Sequence, residues 1–543
     1  MATVQPKTPG VYISEPDSFP PAIVGVETAV PAFIGYTEIA SDKGKQLHLT
    51  PTRISSFAEY SRKFGRGFQE RYYISPADKA PPPADTFVGV VSLFEGGPKF
   101  NLVKEGAASF YLYSALQLFY ANGGGDCYIV SCGEFFTDQT RTTPSHVKTS
   151  DLHAGLDAIA NVVGPTMLVV PDAMRLAKDE AGALTIAMLT QCMEQRDRVA
   201  ILDVWGTDKL QETDDPAPTI ADFRTGLAAA PRESLRYGMA YFPYLKTSTV
   251  SKNDVQIDYF YAGARTATLV AALRESLTHY YPESPPGKPD ARAVTIGGYL
   301  DLIGTSLADT AENLKDPPNK RNMTHSELTQ ALLANLPSVG DLFTHVADSQ
   351  SILPPSAAMA GVYTMTDATL GVWNAPANVG IATLIAPTVT VNQHQQEDMN
   401  SPTEGKAVNA IRNFPSRGPL VWGAHTLDST SNDWRYIQVR RTMIYVEQSV
   451  KTALNSFVFA PNTASTWTTV VSMIESFLHG LWSAGGLMGA SPAQAYSVRC
   501  GLGSTMTPDD ILNGNMIVHV VLQMVHPAEF IELVFNQQML AAS

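Results

Sequence analysis

Four cysteines in 543 residues are too few for a disulfide framework. Cys127 and Cys132 stand an odd number of residues apart in or beside one apparent strand and so face opposite sides of it. Cys192 and Cys500 are isolated. This is the pattern of reduced, partly buried thiols, and folding in a reducing cytoplasm follows. Long apolar runs are equally scarce. Nothing approaches the roughly 20 residues a membrane helix needs, and the nearest stretch, Met516 to Val525, is broken by His519 and Gln523 and reads as a strand. The opening MATVQPKTPGVYIS has no basic segment leading into an apolar run, so neither a Sec-type signal nor direct membrane insertion is expected. Positive charge is also short: Lys and Arg number 38 against 52 Asp and Glu, a net charge of −14. A phosphate-neutralising surface needs the opposite balance, so nucleic acid is not an expected partner.

Catalytic signatures are missing too. The chain has no G-x-x-x-x-G-K-[ST], no G-x-S-x-G and no H-E-x-x-H. Its 11 histidines are scattered without a recognisable ligand spacing. The glycines of Asn122 to Asp126 follow a helix and open a strand, whereas a phosphate loop follows a strand and opens a helix, so they read as a turn. Asp172 ends a buried strand, where α/β enzymes place ligand-binding groups. With Pro171 before it and no partner base, it reads as a loop cap. No catalytic, cofactor or metal residue is assigned, and the chain is not expected to be an enzyme.

What is present is ordinary globular composition, 44% hydrophobic and 17% charged, with material for three to four domains. Pro6, Pro9, Pro16, Pro20 and Pro21 surround one alternating unit, Val11, Tyr12 and Ile13, which fits an extended pairing arm or a tail. Val24 to Tyr36 is β-rich, and Pro76 to Pro83 and Glu283 to Pro289 mark loops or insertions. The spacing predicts a helix over Ala107 to Tyr120, then a strand over Cys127 to Ser131. Thr166 to Pro171, Gly182 to Gln195 and Val199 to Trp205 make a strand–helix–strand crossover. Met239 to Leu245 reads as a further strand, and Ser306 to Gln350 as mostly helical. In the last third, Met443, Val446, Val450 and Leu454 stripe one helix, and Trp467, Val470, Ile474, Phe477, Leu478 and Leu481 stripe another over Thr466 to Trp482. Ile531, Leu533 and Phe535 share one face of a closing strand. Each terminus thus carries a pairing-competent segment.

The same last third concentrates Trp, Arg and Pro in GVWNAPAN (Gly371 to Asn378), AIRNFPSRGPLVWGAHTL (Ala410 to Leu427) and DWRYIQVRR (Asp433 to Arg441), a composition suited to protein–protein surfaces. Between Glu404 and Lys451, seven basic residues (Lys406, Arg412, Arg417, Arg435, Arg440, Arg441 and Lys451) stand against four acidic ones (Glu404, Asp428, Asp433 and Glu447). A solvated helix face or an electrostatic contact surface would produce this; the arginine excess beside Trp422, Trp434 and Tyr436 favours contact. Trp373 and Trp422 themselves read as packing residues.

At these strings the chain resembles the contractile tail sheath family: sheaths of contractile phage tails, R-type pyocins and extracellular contractile injection systems. The resemblance is carried by TPGVYISE, PAIVGVETAVPAFIGYT, LFYANGGGDCYIV, PPSAAMAGVYTMTDATLGVWNAPAN, NAIRNFPSRGPLVWGAHTL, DWRYIQVRRTMIYVEQSV, FLHGLWSAGGLMG and HPAEFIELVF, in order along the chain. It implies an α+β and α/β multidomain subunit that stacks in hexameric rings helically around an inner tube protein. Baseplate and terminal cap proteins, and paralogous sheath subunits, would be further partners. It implies an N-terminal linker arm over 1–22, an inner, tube-facing α+β domain over 23–40 and 355–525, and a C-terminal arm over 526–543. Middle and outer α/β domains fill 41–354, with variable insertions near 65–104 and 282–350. Arm strands at Val11, Tyr12, Ile13, Ile531, Leu533 and Phe535 would complete neighbours' sheets. Arg435, Arg440, Arg441, Lys451, Trp467 and Glu475 are the candidate tube-facing or contact surface. A baseplate trigger would shorten the array and drive the tube through a target envelope, with assembly in the bacterial cytoplasm and action as part of a phage tail or released particle. The alternatives are a non-contractile tube or shell protein, or a cytosolic α/β enzyme.

Overall fold

The computed structural model describes residues 22–530, apart from 80, 139, 262 and 305–322. The expected arm residues Val11, Tyr12, Ile13, Ile531, Leu533 and Phe535 lie outside these. Contacts divide the chain into two units, Thr28–Arg441 and Met1–Glu27 with Thr442–Ser543.

The larger unit is organised on nine strands: β1 (Pro31–Thr37), β2 (Thr52–Ile54), β3 (Cys127–Glu134), β4 (Met167–Val169), β5 (Val199–Asp203), β6 (Gly238–Phe242), β7 (Val379–Gly380), β8 (Val408–Phe414) and β9 (Gly418–Trp422). Their spatial order is β7-β9-β8-β6-β5-β4-β1-β3-β2. The six from β8 to β3 are parallel, in register at Ala32↔Tyr128, Ala32↔Leu168, Ala200↔Leu168, Ala200↔Gly238 and Ala240↔Val408. Strands β2, β9 and β7 close the two sides antiparallel. β1, β4, β5 and β6 are buried at every residue, which is why their sequences read as apolar runs without alternation. Helices α1 (Leu112–Ala121), α2 (Thr149–Ala160), α3 (Lys178–Gln195), α4 (Ala217–Gly226) and α5 (Ser356–Thr369) belong to the same unit. The expected crossover is present as β4-α3-β5. Cys127, Cys132 and Cys192 are buried free thiols, and Cys500 is half-buried.

Two local features set this packing. Asn122 ends α1: its backbone N–H returns to Leu118 O, and Gly124 N–H caps Phe119 O at 3.0 Å. Gly123 supplies the positive φ (+89°) that the turn requires, so the glycine string is the turn that its order indicated. At Gly361, α5 approaches α1 so closely that a Cβ would stand 2.6 Å from Phe119 O.

The boundary drawn at 354/355 does not coincide with a break in packing. α5 and the strands β7, β8 and β9 are parts of the nine-stranded sheet and its cover, so residues 355–441 pack with the larger unit. The stretches expected as variable insertions pack together. Tyr72, Ile74, Val91, Phe100 and Leu102 share one apolar core with Leu269, Leu273, Ile296, Leu300, Leu328, Leu342 and Phe343. The antiparallel strands Tyr72–Pro76, Phe87–Ser92 and Lys99–Lys104 are covered there by helices including Thr266–Tyr280 and Pro337–Gln350.

The smaller unit contains α6 (Ile437–Leu454) from Thr442 onward, α7 (Ala464–Ser483), and the antiparallel pair β10 (Tyr496–Arg499) and β11 (His519–Leu522). α7 buries Val470, Ile474, Leu478 and Leu481 of the expected stripe together with Met473, while Trp467 and Phe477 are half-buried.

Candidate assembly interface

A doubly wound sheet offers a ligand crevice where neighbouring strands leave in opposite directions, here at the carboxyl ends of β1 and β4. Asp172 fills it. The carboxylate is fully buried and accepts Tyr36 N–H at 2.8 Å and Tyr111 N–H at 2.6 Å, tying the β4 end to β1 and to the entry of α1. Burial pushes its acid up to about 6 against those hydrogen bonds. Gly35 makes room, since a Cβ there would lie 2.5 Å from Asp172 Oδ2. Asp172 is expected to cap its own loop; the bonds observed are long-range, to the backbone of β1 and of the entry to α1. Asp203, at the end of β5, is spent in the same way: Oδ1 accepts Ser356 N–H at 2.8 Å and Oδ2 the Ser356 hydroxyl at 2.5 Å. This buried carboxyl, pushed up to about 7 by burial, caps the N-terminus of α5. Sequence reading missed it, because a cap supplied from 153 positions away leaves no local trace.

The arginine-rich stretch requires a correction. Arg440 and Arg441 are only 3% and 4% exposed and cannot form a contact surface. Arg440 stacks on Tyr237 and Trp434, its guanidinium 4.9 and 4.7 Å from the ring centroids. Arg441 pairs with Asp367, Nη1 to Oδ1 at 2.9 Å and Nη2 to Oδ2 at 2.6 Å. Arg435 is half-buried and donates to Ser431 O and Asn432 Oδ1. Lys406 donates to Arg224 O at 2.8 Å, Arg412 to Gln396 Oε1, and Arg417 to Asn378 Oδ1 at 2.7 Å. Charge counting by sequence could not separate these spent cations from free ones. Trp422 packs on Phe414, centroids 4.4 Å apart, as a packing residue should.

The remaining candidates lie in the smaller unit. Lys451 and Glu475 are exposed, and Trp467 is half-buried with its indole N–H on Asn462 Oδ1 at 2.6 Å. Asn462 also donates to Asn515 O, anchoring the base of the loop between α6 and α7. At the tip of that loop Phe459 is fully exposed. In the two-stranded sheet, Tyr496 opposes Leu522 and Val498 opposes Val520, while Ser497 and Val521 point to the other face. Gln523 N–H reaches Ala495 O at 2.8 Å. By two-residue alternation the N–H groups of Val520 and Leu522 then point away from β10, along an edge with no strand partner among the described residues.

The profile of the phage tail sheath C-terminal domain matches residues 429–538. Over 99% of its length the chain is similar to the PVC sheath of an extracellular contractile injection system in the contracted state, at 25% identity and a TM-score of 0.55, covering 99% of that chain. The contracted helical sheath of the anti-feeding prophage gives 25% identity and a TM-score of 0.55, over 98% of this chain and 100% of that one. A chain of the six-fold symmetrised anti-feeding prophage baseplate gives 26% and 0.54, again over 98% and 100%. No curated protein matches in sequence.

Proposed function

The chain belongs to the contractile tail sheath family as one of its structural subunits, and from that premise we propose that its smaller unit is the layer through which subunits join around an inner tube. The observation that carries this reading is the edge of β11 that has no strand partner among the described residues, inside the stretch that matches the sheath C-terminal domain. Strands added from neighbouring subunits would satisfy its free N–H and C=O groups, and main-chain bonding would keep subunits linked while they rotate past one another. The segments proposed to supply those strands are the arms containing Val11, Tyr12 and Ile13 and Ile531, Leu533 and Phe535. Head-to-tail contacts that do not close on themselves build a helical polymer, here of stacked six-membered rings.

The tube-facing surface is proposed on α7 and around it, with Lys451, Trp467 and Glu475. Baseplate and cap proteins would hold the ends of the polymer. The larger unit, with its separate insertion core, would form the middle and outward layers. Contraction needs two packings of different free energy and no nucleotide hydrolysis; the filling of the β1–β4 crevice by Asp172 supports that account. Assembly in the cytoplasm and action in a released particle belong to the same proposal.

Deletion of Met1 to Pro20 tests it. The truncated chain should fold with unchanged circular dichroism and stay unpolymerised in electron micrographs in which the full chain gives wide, striated tubes. Normal tubes from the truncated chain would overturn the arm assignment.

A further inference from the structure

The chain leaves the larger unit at two places, between Glu27 and Thr28 and between Arg441 and Thr442. Both come to one side chain. Besides its two bonds to Asp367, the Arg441 guanidinium donates from Nη2 to Thr28 O at 3.1 Å. We propose that Arg441 is a positioning residue that ties both exits to α5, so that the two connections cannot move independently. The proposal does not depend on polymerisation.

The surroundings fit a tie. The guanidinium lies 4.5 Å from the Tyr363 ring centroid, and the Tyr363 hydroxyl bonds that of Tyr241 at 2.7 Å, linking the group to β6. The Arg441 and Asp367 side chains are 3% and 5% exposed. Local helix energetics do not account for Asp367, which stands in the last turn of α5, where the helix dipole disfavours a carboxylate. A planar, bidentate donor with a nitrogen left over for a carbonyl is what the geometry uses, and lysine offers no such fork.

Hydrogen exchange on the full chain tests this with the double variant Arg441→Met/Asp367→Leu. Replacing a buried ion pair by apolar groups of similar size leaves overall stability near that of the original. If the pair is a tie, amides of residues 26–30 and 440–444 exchange at least tenfold faster, while those of β4, β5 and β6 keep their protection within about twofold. Unchanged exchange at the two exits would overturn the proposal, and so would an equal acceleration throughout the chain. Asp367→Asn is the second variant, should the double variant fail to fold, with the same local acceleration expected. Failure of that variant to fold as well would make the pair a general stabilising contact, and the tie would be rejected. Arg441→Lys should not restore protection at residues 26–30, because it cannot hold Asp367 and Thr28 O together.

Discussion

The two units manage sheet edges in opposite ways. In the larger one, the parallel core is closed by short antiparallel strands, three residues in β2 and two in β7, and the central strands have no exposed face. In the smaller one, a pair of four-residue strands keeps a row of donors without a strand partner among the described residues and a 58% exposed Val521. A sheet with its edges blunted resists association; one with a free edge invites it. On the proposed function the smaller unit would be the joint, and its two-stranded sheet lies within the stretch that matches the sheath C-terminal domain.

The sharpest way to break that contrast is to destroy the larger unit. Gly361→Val puts a branched side chain where even a Cβ meets Phe119 O at 2.6 Å. It should cost about 3 kcal/mol or more, read as a lower denaturation midpoint of the larger unit. Next in size is the pH response of Asp203. Its carboxyl titrates near 7 in the fold against an ordinary 3.8. Between those values the native state holds a proton that the unfolded chain has lost, so this residue's contribution to stability falls as pH rises from about 4 to about 7. Denaturant unfolding of the original chain and Asp203→Asn, compared at pH 5 and pH 8, should show the original losing more, by on the order of a few kcal/mol. The smallest effect on stability is expected at the open edge. Val520→Pro removes an N–H that points away from β10, where proline is tolerated, and should cost less than about 1 kcal/mol. Tube formation should nevertheless fall steeply in electron micrographs; undiminished tubes would show that this edge is not the one extended.

The sequence was most informative where period and burial coincide. The β4-α3-β5 crossover and helices α6 and α7 are legible because a buried strand reads as an apolar run and an amphipathic helix as a stripe. What it concealed is long-range. Nothing in Pro31–Thr37 announces that β1 lies between β3 and β4, and nothing local joins Tyr72 to Phe343 in one core. Of the proposed surface, Lys451 and Glu475 are exposed, but Arg440 and Arg441 look identical to surface cations until Tyr237, Trp434 and Asp367 are seen beside them. One signal was available: an aspartate in the last turn of a helix, against its dipole, asks for a cation from elsewhere.

The buried thiols bear on the chain's durability outside a reducing compartment. Attack on oxidants or alkylating agents requires a thiolate. Burial pushes the Cys127 thiol up to about 12, and those of Cys132 and Cys192 upward as well. These three groups stay protonated and shielded in oxidising surroundings, which leaves the half-buried Cys500, its thiol also raised by burial, as the most accessible of the four.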